Sequence, residues 1–196
     1  ATDQRLHYFI RLSSPITDII FTEDSLVTGL SFGQLAEPLK IKVGISAVDV
    51  LGAQQNIDNE IPHWDFEKTK LKTQNAWRKC LEKIQVEGRS EEKKEIFYTA
   101  MYHSMLNPNL YIDIDGRYRG VDLEVHQDTM DNHYTVFSLW DTFRATHPLF
   151  TLIEQKRTNE FIRTFLRMYD QGGILPIWEL AANYTGCMIG YHAIPV

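Results

Sequence analysis

The hydrophobic positions change period along the chain, and the change divides it. Leu6, Tyr8, Ile10 and Leu12 alternate with His7, Phe9 and Arg11, a period of two that predicts a strand ended by Ser13-Ser14-Pro15. Weaker strand signals cover residues 19–21 and 26–32, with turn-forming residues at 22–25 between them. Leu39, Ile41, Val43 and Ile45 alternate with Lys40, Lys42, Gly44 and Ser46, which predicts the clearest strand in the chain, with one wet face. Residues 1–47 therefore read as the last antiparallel strands of a β domain.

Beyond residue 47 the period becomes helical. Val50, Ala53, Ile57 and Ile61 recur at helical spacing, and Pro62 closes that segment. Asp65 is placed to cap a second helix, whose apolar side carries Trp77, Cys80, Leu81 and Ile84 before Gly88 stops it. Ser90, followed by Glu91 and Glu92, predicts the start of a third, with Phe97, Met101 and Met105 on one side and Asn107-Pro108 at its end. A non-helical insert follows over residues 110–127. In it Asp115-Gly116 gives a hairpin signal, and Asp122, Glu124, His126 and Asp128 alternate. That polar alternation permits a metal reading, but a solvated strand face explains it more simply. Pro148 opens or kinks a further helix, and Phe161, Ile162, Phe165, Leu166 and Tyr169 predict another over about 156–169, ended by Gly172-Gly173.

Composition narrows the function classes. A net charge of −6 leaves no basic patch for nucleic acid, and the lysine-rich run 68–83 is broken by glutamates and apolar residues, as on the wet side of a helix. No run approaches the ~20 apolar residues of a membrane-spanning helix. Cys80 and Cys187 have no metal or disulfide spacing, and the opening ATDQRLHYF has no signal-peptide character, as a mature secreted protein would also lack one. Both ends look cut, so the chain reads as an internal fragment.

Two aromatic segments hold the candidate chemistry: YTVFSLWDTFRAT (134–146) and GGILPIWELAANYTGCMIGYH (172–192). Each sets a carboxylate beside a tryptophan, Trp140-Asp141 and Trp178-Glu179. An indole face suits the C–H side of a sugar and a carboxylate accepts its hydroxyls, so the pairs suggest carbohydrate. Two carboxylates on long loops between helices also invite an acid/base pair for glycoside hydrolysis. The bland alternative makes Asp141 a helix cap and pairs Glu179 with an arginine such as Arg144. Cys187 with His192, and Ser138, lack the surroundings of a nucleophile, and Gly172-Gly173 is a helix stop rather than a phosphate loop.

The strings FYTAMYHSMLNPNLY (97–111), DGRYRGVD (115–122), YTVFSLWDTFRATHPL (134–149) and GGILPIWELAANYTGCMIGYHAIPV (172–196) resemble glycoside hydrolase family 92, as does VGISAVDVLGAQQNIDNEIPHWDFEKTKLKTQNAW upstream. The resemblance implies calcium-dependent, exo-acting, inverting α-mannosidases built from a β-sandwich followed by an (α/α)6 barrel. On that pattern the fold class is mixed but mainly α. Residues 1–47 end the sandwich, 48–88 are linker helices, and 89–196 begin a truncated catalytic barrel. Trp140 and Asp141 would bind a mannose-containing glycan, with Trp178, Glu179 and His192 as secondary candidates. No string matches the family's general acid, its general base or its calcium-binding motif. The resemblance therefore places those catalytic groups and the Ca2+ ligands beyond Val196, in the remainder of the same polypeptide. It also implies a periplasmic, cell-surface or secreted protein. Other readings that remain are a carbohydrate-binding or scaffold module, and another (α/α)6 glycosidase.

Overall fold

The structure is a computed structural model that describes residues 3–21 and 28–196, so the turn expected at 22–25 lies outside the described residues. Strand β1 (His7–Leu12) pairs antiparallel with β4 (Ile41–Ser46), setting Tyr8 opposite Ile45 and Ile10 opposite Val43. A separate two-stranded sheet joins β2 (Asp18–Phe21) to β3 (Thr28–Ser31).

The alternation in β4 locates the strand, but the side that is buried is the unexpected one. Lys42, Gly44 and Ser46 are buried, while Ile41, Val43 and Ile45 are more than half exposed. The cause is helix α1 (Val50–Glu60), capped by Asp49, which lays Ala53 and Ile57 across the Gly44 side of the ribbon. A Cβ on Gly44 would stand 2.1 Å from the Ala53 carbonyl oxygen and 2.6 Å from Ile57 Cγ1. Only glycine permits that approach. The Lys42 stem is covered too, and its ammonium lies 4.3 Å from the centre of the Trp64 ring and donates to the Ile61 carbonyl at 2.6 Å. Gly44→Ala is expected to cost about 1–3 kcal/mol of stability, measurable by denaturant unfolding; an unchanged midpoint would show that α1 shifts freely.

Asp65 and Ser90 cap helices α2 (Phe66–Leu81) and α3 (Glu91–Ser104), accepting from the amides of Lys68 and Lys93. Helix α2 ends a turn earlier than its apolar spacing suggests, so Ile84 lies beyond it, although still packed on the core. In the insert, Asp115-Gly116 forms a turn with Gly116 at φ 84°. Across that turn the strand leaving it, β6 (Arg117–Arg119), accepts one backbone bond, from the Asp113 amide to the Arg117 carbonyl at 2.8 Å, and forms no ladder there. It pairs forward with β7 (Val125–Gln127), while β5 (Asn109–Leu110) pairs with β8 (Tyr134–Thr135).

The insert and the residues that follow it, 128–134, are tied down on both sides. On one, buried Asp113 accepts from the Ser46 hydroxyl at 2.6 Å and from Asn56 Nδ2 at 2.9 Å, and a Cβ on Gly52 would fall 2.2 Å from its Oδ2. On the other, the Tyr134 hydroxyl donates to Glu160 at 2.6 Å, Arg163 pairs with Asp131, and Arg167 pairs with Asp128. Those three partners line α6 (Gln155–Gly172), which ends at Gly173 in left-handed conformation. Between β8 and α6 lie β9 (Phe137–Ser138), α4 (Leu139–Thr142) and α5 (Thr146–Ile153), with Pro148 in the first turn of α5. After α6 come β10 (Trp178–Leu180) and β11 (Asn183–Tyr184). One core unites these pieces, from Met101 and Met105 through Phe137, Leu139 and Phe150 to Phe161, Phe165 and Met168. Gly190-Tyr191-His192, which looks in sequence like a helix start, forms an isolated turn closed by Ile194 N to Tyr191 O.

Candidate functional site

Both aromatic segments meet in one small sheet of order β11-β10-β9. Trp178 pairs with Ser138 and Glu179 with Phe137, and the Leu139 amide donates to the Ile177 carbonyl at 2.9 Å. Buried Phe137 and Leu139 fix this edge to the core. The chain then turns through α4, which carries Trp140 and Asp141 outward.

Asp141 does not cap the helix after it. Ser138 occupies the N-cap of α4, makes no capping bond, and instead turns its hydroxyl to the Asp141 carboxylate inside the first turn. Asp141 is exposed and Trp140 half-buried. Around the indole lies a compact aromatic group that sequence reasoning found only in part. His192 meets the Trp140 ring edge-on at 5.0 Å and stacks on Phe143 at 4.2 Å, 12° from parallel. The Arg144 guanidinium carbon sits 5.1 Å from the Phe143 ring centre and 5.7 Å from that of Trp140. Arg144 therefore covers these rings and makes no pair with Glu179. Phe143 was legible only as the i+3 neighbour of Trp140.

His192 Nε2 is buried with no hydrogen-bond partner. Gly190, at φ 104°, closes on it, and a Cβ there would come within 2.7 Å of the same nitrogen. The imidazole is thus held by its ring faces rather than by polar bonds. Trp178 is half-buried, and its carbonyl accepts from the Thr185 hydroxyl at 2.7 Å.

Glu179 is placed otherwise than a sugar-facing residue would be. It is 1% exposed. Its Oε1 accepts from the Thr135 hydroxyl and the Ala182 amide, both at 2.8 Å, and its Oε2 from the Val136 amide at 3.1 Å. Burial pushes its carboxyl up to about 7, against the pull of hydrogen bonds from Thr135, Ala182, Val136 and Phe137. Both oxygens are engaged inside the protein.

Two of the alternating acids, Asp122 and Asp128, are likewise engaged. Asp122 holds His126 Nε2 at 2.9 Å, and Asp128 holds Arg167. Among the described residues no group of three His, Cys, Asp or Glu side chains is arranged to hold a metal ion. What the site offers is an exposed carboxylate beside a braced indole, which suits the hydroxyls and C–H face of a sugar ring.

Residues 52–196 match the model of the glycosyl hydrolase family 92 catalytic domain. The chain belongs to this family. A family 92 α-mannosidase of Bacteroides thetaiotaomicron is 32% identical and superposes on 96% of the chain with a TM-score of 0.89. That enzyme has also been solved with mannoimidazole. A second mannosidase of the same organism, described as inverting, is 25% identical with a TM-score of 0.85 over 96% of the chain. The chain spans 28% of the length of each of these two. A sequence from Arthroderma benhamiae described as an uncharacterized secreted glycosidase is 35% identical over 74 residues, 36% of this chain and 10% of that protein.

Proposed function

We propose that this family 92 chain is part of an exo-acting α-mannosidase, hydrolysing terminal α-mannosides such as the α-1,2-linked mannose of N-glycans or mannans with inversion at the anomeric carbon. The observation that carries the reading is the corner at β9–α4, where exposed Asp141 stands beside an indole fixed by His192, Phe143 and Arg144. Trp140 stacks on the terminal mannose and Asp141 accepts from two of its hydroxyls, with Trp178 and His192 as flanking contacts. The mannoimidazole complex of the 32%-identical relative supports this choice of sugar.

The chain contributes binding and orientation rather than the proton transfers. An inverting pair needs two carboxyl groups roughly 6.5–9.5 Å apart with room for a water between them. Glu179 is enclosed, and on the family resemblance the acid and base come from the rest of the polypeptide. The family resemblance implies calcium and places its ligands there as well.

Residues 1–47 are proposed as the end of a β-sandwich, 48–88 as linker helices and 89–196 as the start of an (α/α)6 barrel. The outward Tyr8, Ile10, Ile41, Val43 and Ile45 ladder supports a further β layer supplied by the same polypeptide. A periplasmic, cell-surface or secreted location fits the glycosidase matched in part by sequence. No helix among the described residues is long and apolar enough to cross a membrane.

The intact protein, incubated with α-mannobiose and followed by NMR, is expected to release β-mannose first and to lose that activity with a calcium chelator. The 196-residue chain alone is expected to release none. Turnover of α-glucosides in preference to α-mannosides would overturn the substrate reading, and sugar binding without turnover would favour a binding module.

A further inference from the structure

The backbone around Glu179 is unusual in a way its own hydrogen bonds explain. Val136, Ala181 and Ala182 all lie in the left-handed region, at φ 64°, 48° and 63°. A β-branched residue there is a genuine outlier, and alanine gains nothing from the conformation. Ala181-Ala182 forms the two-residue link between Leu180 and Asn183, which pair across β10 and β11. A hairpin link with both residues left-handed ordinarily calls for Asn-Gly. Here buried acceptors replace the missing turn chemistry. The Ala182 amide donates to Glu179 Oε1 at 2.8 Å, and the Ala181 amide donates to Thr135 Oγ1 at 2.7 Å. The Thr135 hydroxyl in turn donates to Oε1, and the Val136 amide donates to Oε2. One carboxylate thus gathers the left-handed turns of two segments that are far apart in sequence. Two residues past Val136 is Ser138, which leads directly into Trp140 and Asp141.

We propose that Glu179, together with Thr135, is a positioning residue that holds the Val136 and Ala181-Ala182 turns and thereby sets the Trp140-Asp141 wall against β10. Every group directed at the two oxygens is a donor, so an amide, which would set an NH2 against an N–H, does not fit the site. The kinetic arm of the test rests on the mannosidase reading; the exchange arm does not.

In the intact protein, Glu179→Gln is expected to raise KM for an α-mannoside at least tenfold with a smaller fall in kcat, because the wall holds the sugar before and during reaction. Thr135→Val should act in the same direction and Thr135→Ser should retain most of the affinity. Adding Ala181→Asn and Ala182→Gly to Glu179→Gln supplies the turn residues and should recover part of it. Amide exchange at Leu139 and Phe143, the hydrogen-bonded ends of α4, should quicken at least tenfold in Glu179→Gln relative to α6. KM within twofold of wild type per folded molecule in both Glu179→Gln and Thr135→Val would overturn the proposal. So would exchange at those two amides that does not change. A wild-type protein without mannosidase turnover would sink the substrate reading, leaving the exchange measurement to decide the positioning role.

Discussion

Asp141→Ala in the intact protein is expected to lower kcat/KM on an α-mannoside by about 10²–10⁴-fold while leaving the fold in place. Two hydroxyl hydrogen bonds to a charged acceptor are worth roughly 1.5–3 kcal/mol each, and each 1.36 kcal/mol is tenfold in rate. Little stability should be lost, because the side chain is exposed and its hydrogen-bond partner here is the neighbouring Ser138 hydroxyl; exposed substitutions of this kind stay within about 0.5 kcal/mol. Asp141→Asn keeps the shape and one acceptor, so it should fall between the two. Steady-state kinetics together with a melting curve make the check. An unchanged kcat/KM would remove Asp141 from the sugar site whatever the family does elsewhere.

Acid should loosen the packing around α5 and α6 before it affects the exposed helix α2. His133 and His147 are buried, and burial depresses them to about 3 and about 4, with the Arg167 charge also acting on His133. Each therefore remains neutral in the folded protein while the unfolded chain takes up a proton near pH 6.5. The unfolded state binds more protons in that interval, so this contribution is complete above pH 6.5 and drains away as pH falls toward 4 and 3. At 1.36 kcal/mol per pH unit it amounts to about 3–5 kcal/mol for each histidine. Glu179 works in the opposite sense. Its raised value gives stability that is complete below about 4.5 and lost as pH rises to about 7. It offsets roughly one histidine down to pH 4.5 and nothing below that, so the steepest loss should come under pH 4.5. Amide exchange in α6, followed from pH 7 to 4 in wild type and in His147→Leu, reads the effect directly. The substitution should remove about one proton from the pH slope; an identical slope would show that His147 titrates normally.

The sequence was most readable where one residue decides a local event. Asp65 and Ser90 cap their helices because a short acceptor before an amphipathic run has few other uses. The β1–β4 alternation was equally plain, yet period alone does not say which side meets a partner. Gly44 leaves the gap into which α1 descends, and that choice buries a lysine stem and turns three branched aliphatic side chains outward. At the candidate site the Trp140-Asp141 pair was visible as chemistry, while the two segments' antiparallel pairing was not. Glu179 shows why. Beside a tryptophan it looks like a second sugar ligand, but its environment is set by Thr135 and Val136, which no local pattern connects to it. The alternative that paired Glu179 with an arginine such as Arg144 fails for the same reason, since the neighbours of Arg144 are the rings of Trp140 and Phe143.

The Asp113 knot bears on recombination between relatives. A crossover placed where the hydrophobic period changes, between residues 47 and 48, would take Ser46 from one parent and Gly52, Asn56 and Asp113 from the other. A parent with any larger residue at position 52 would drive a methyl group into the carboxylate, and one lacking the serine hydroxyl would leave a buried acceptor short of a donor. Chimaeras that move these four positions as a set should survive far more often than those joined at the apparent seam.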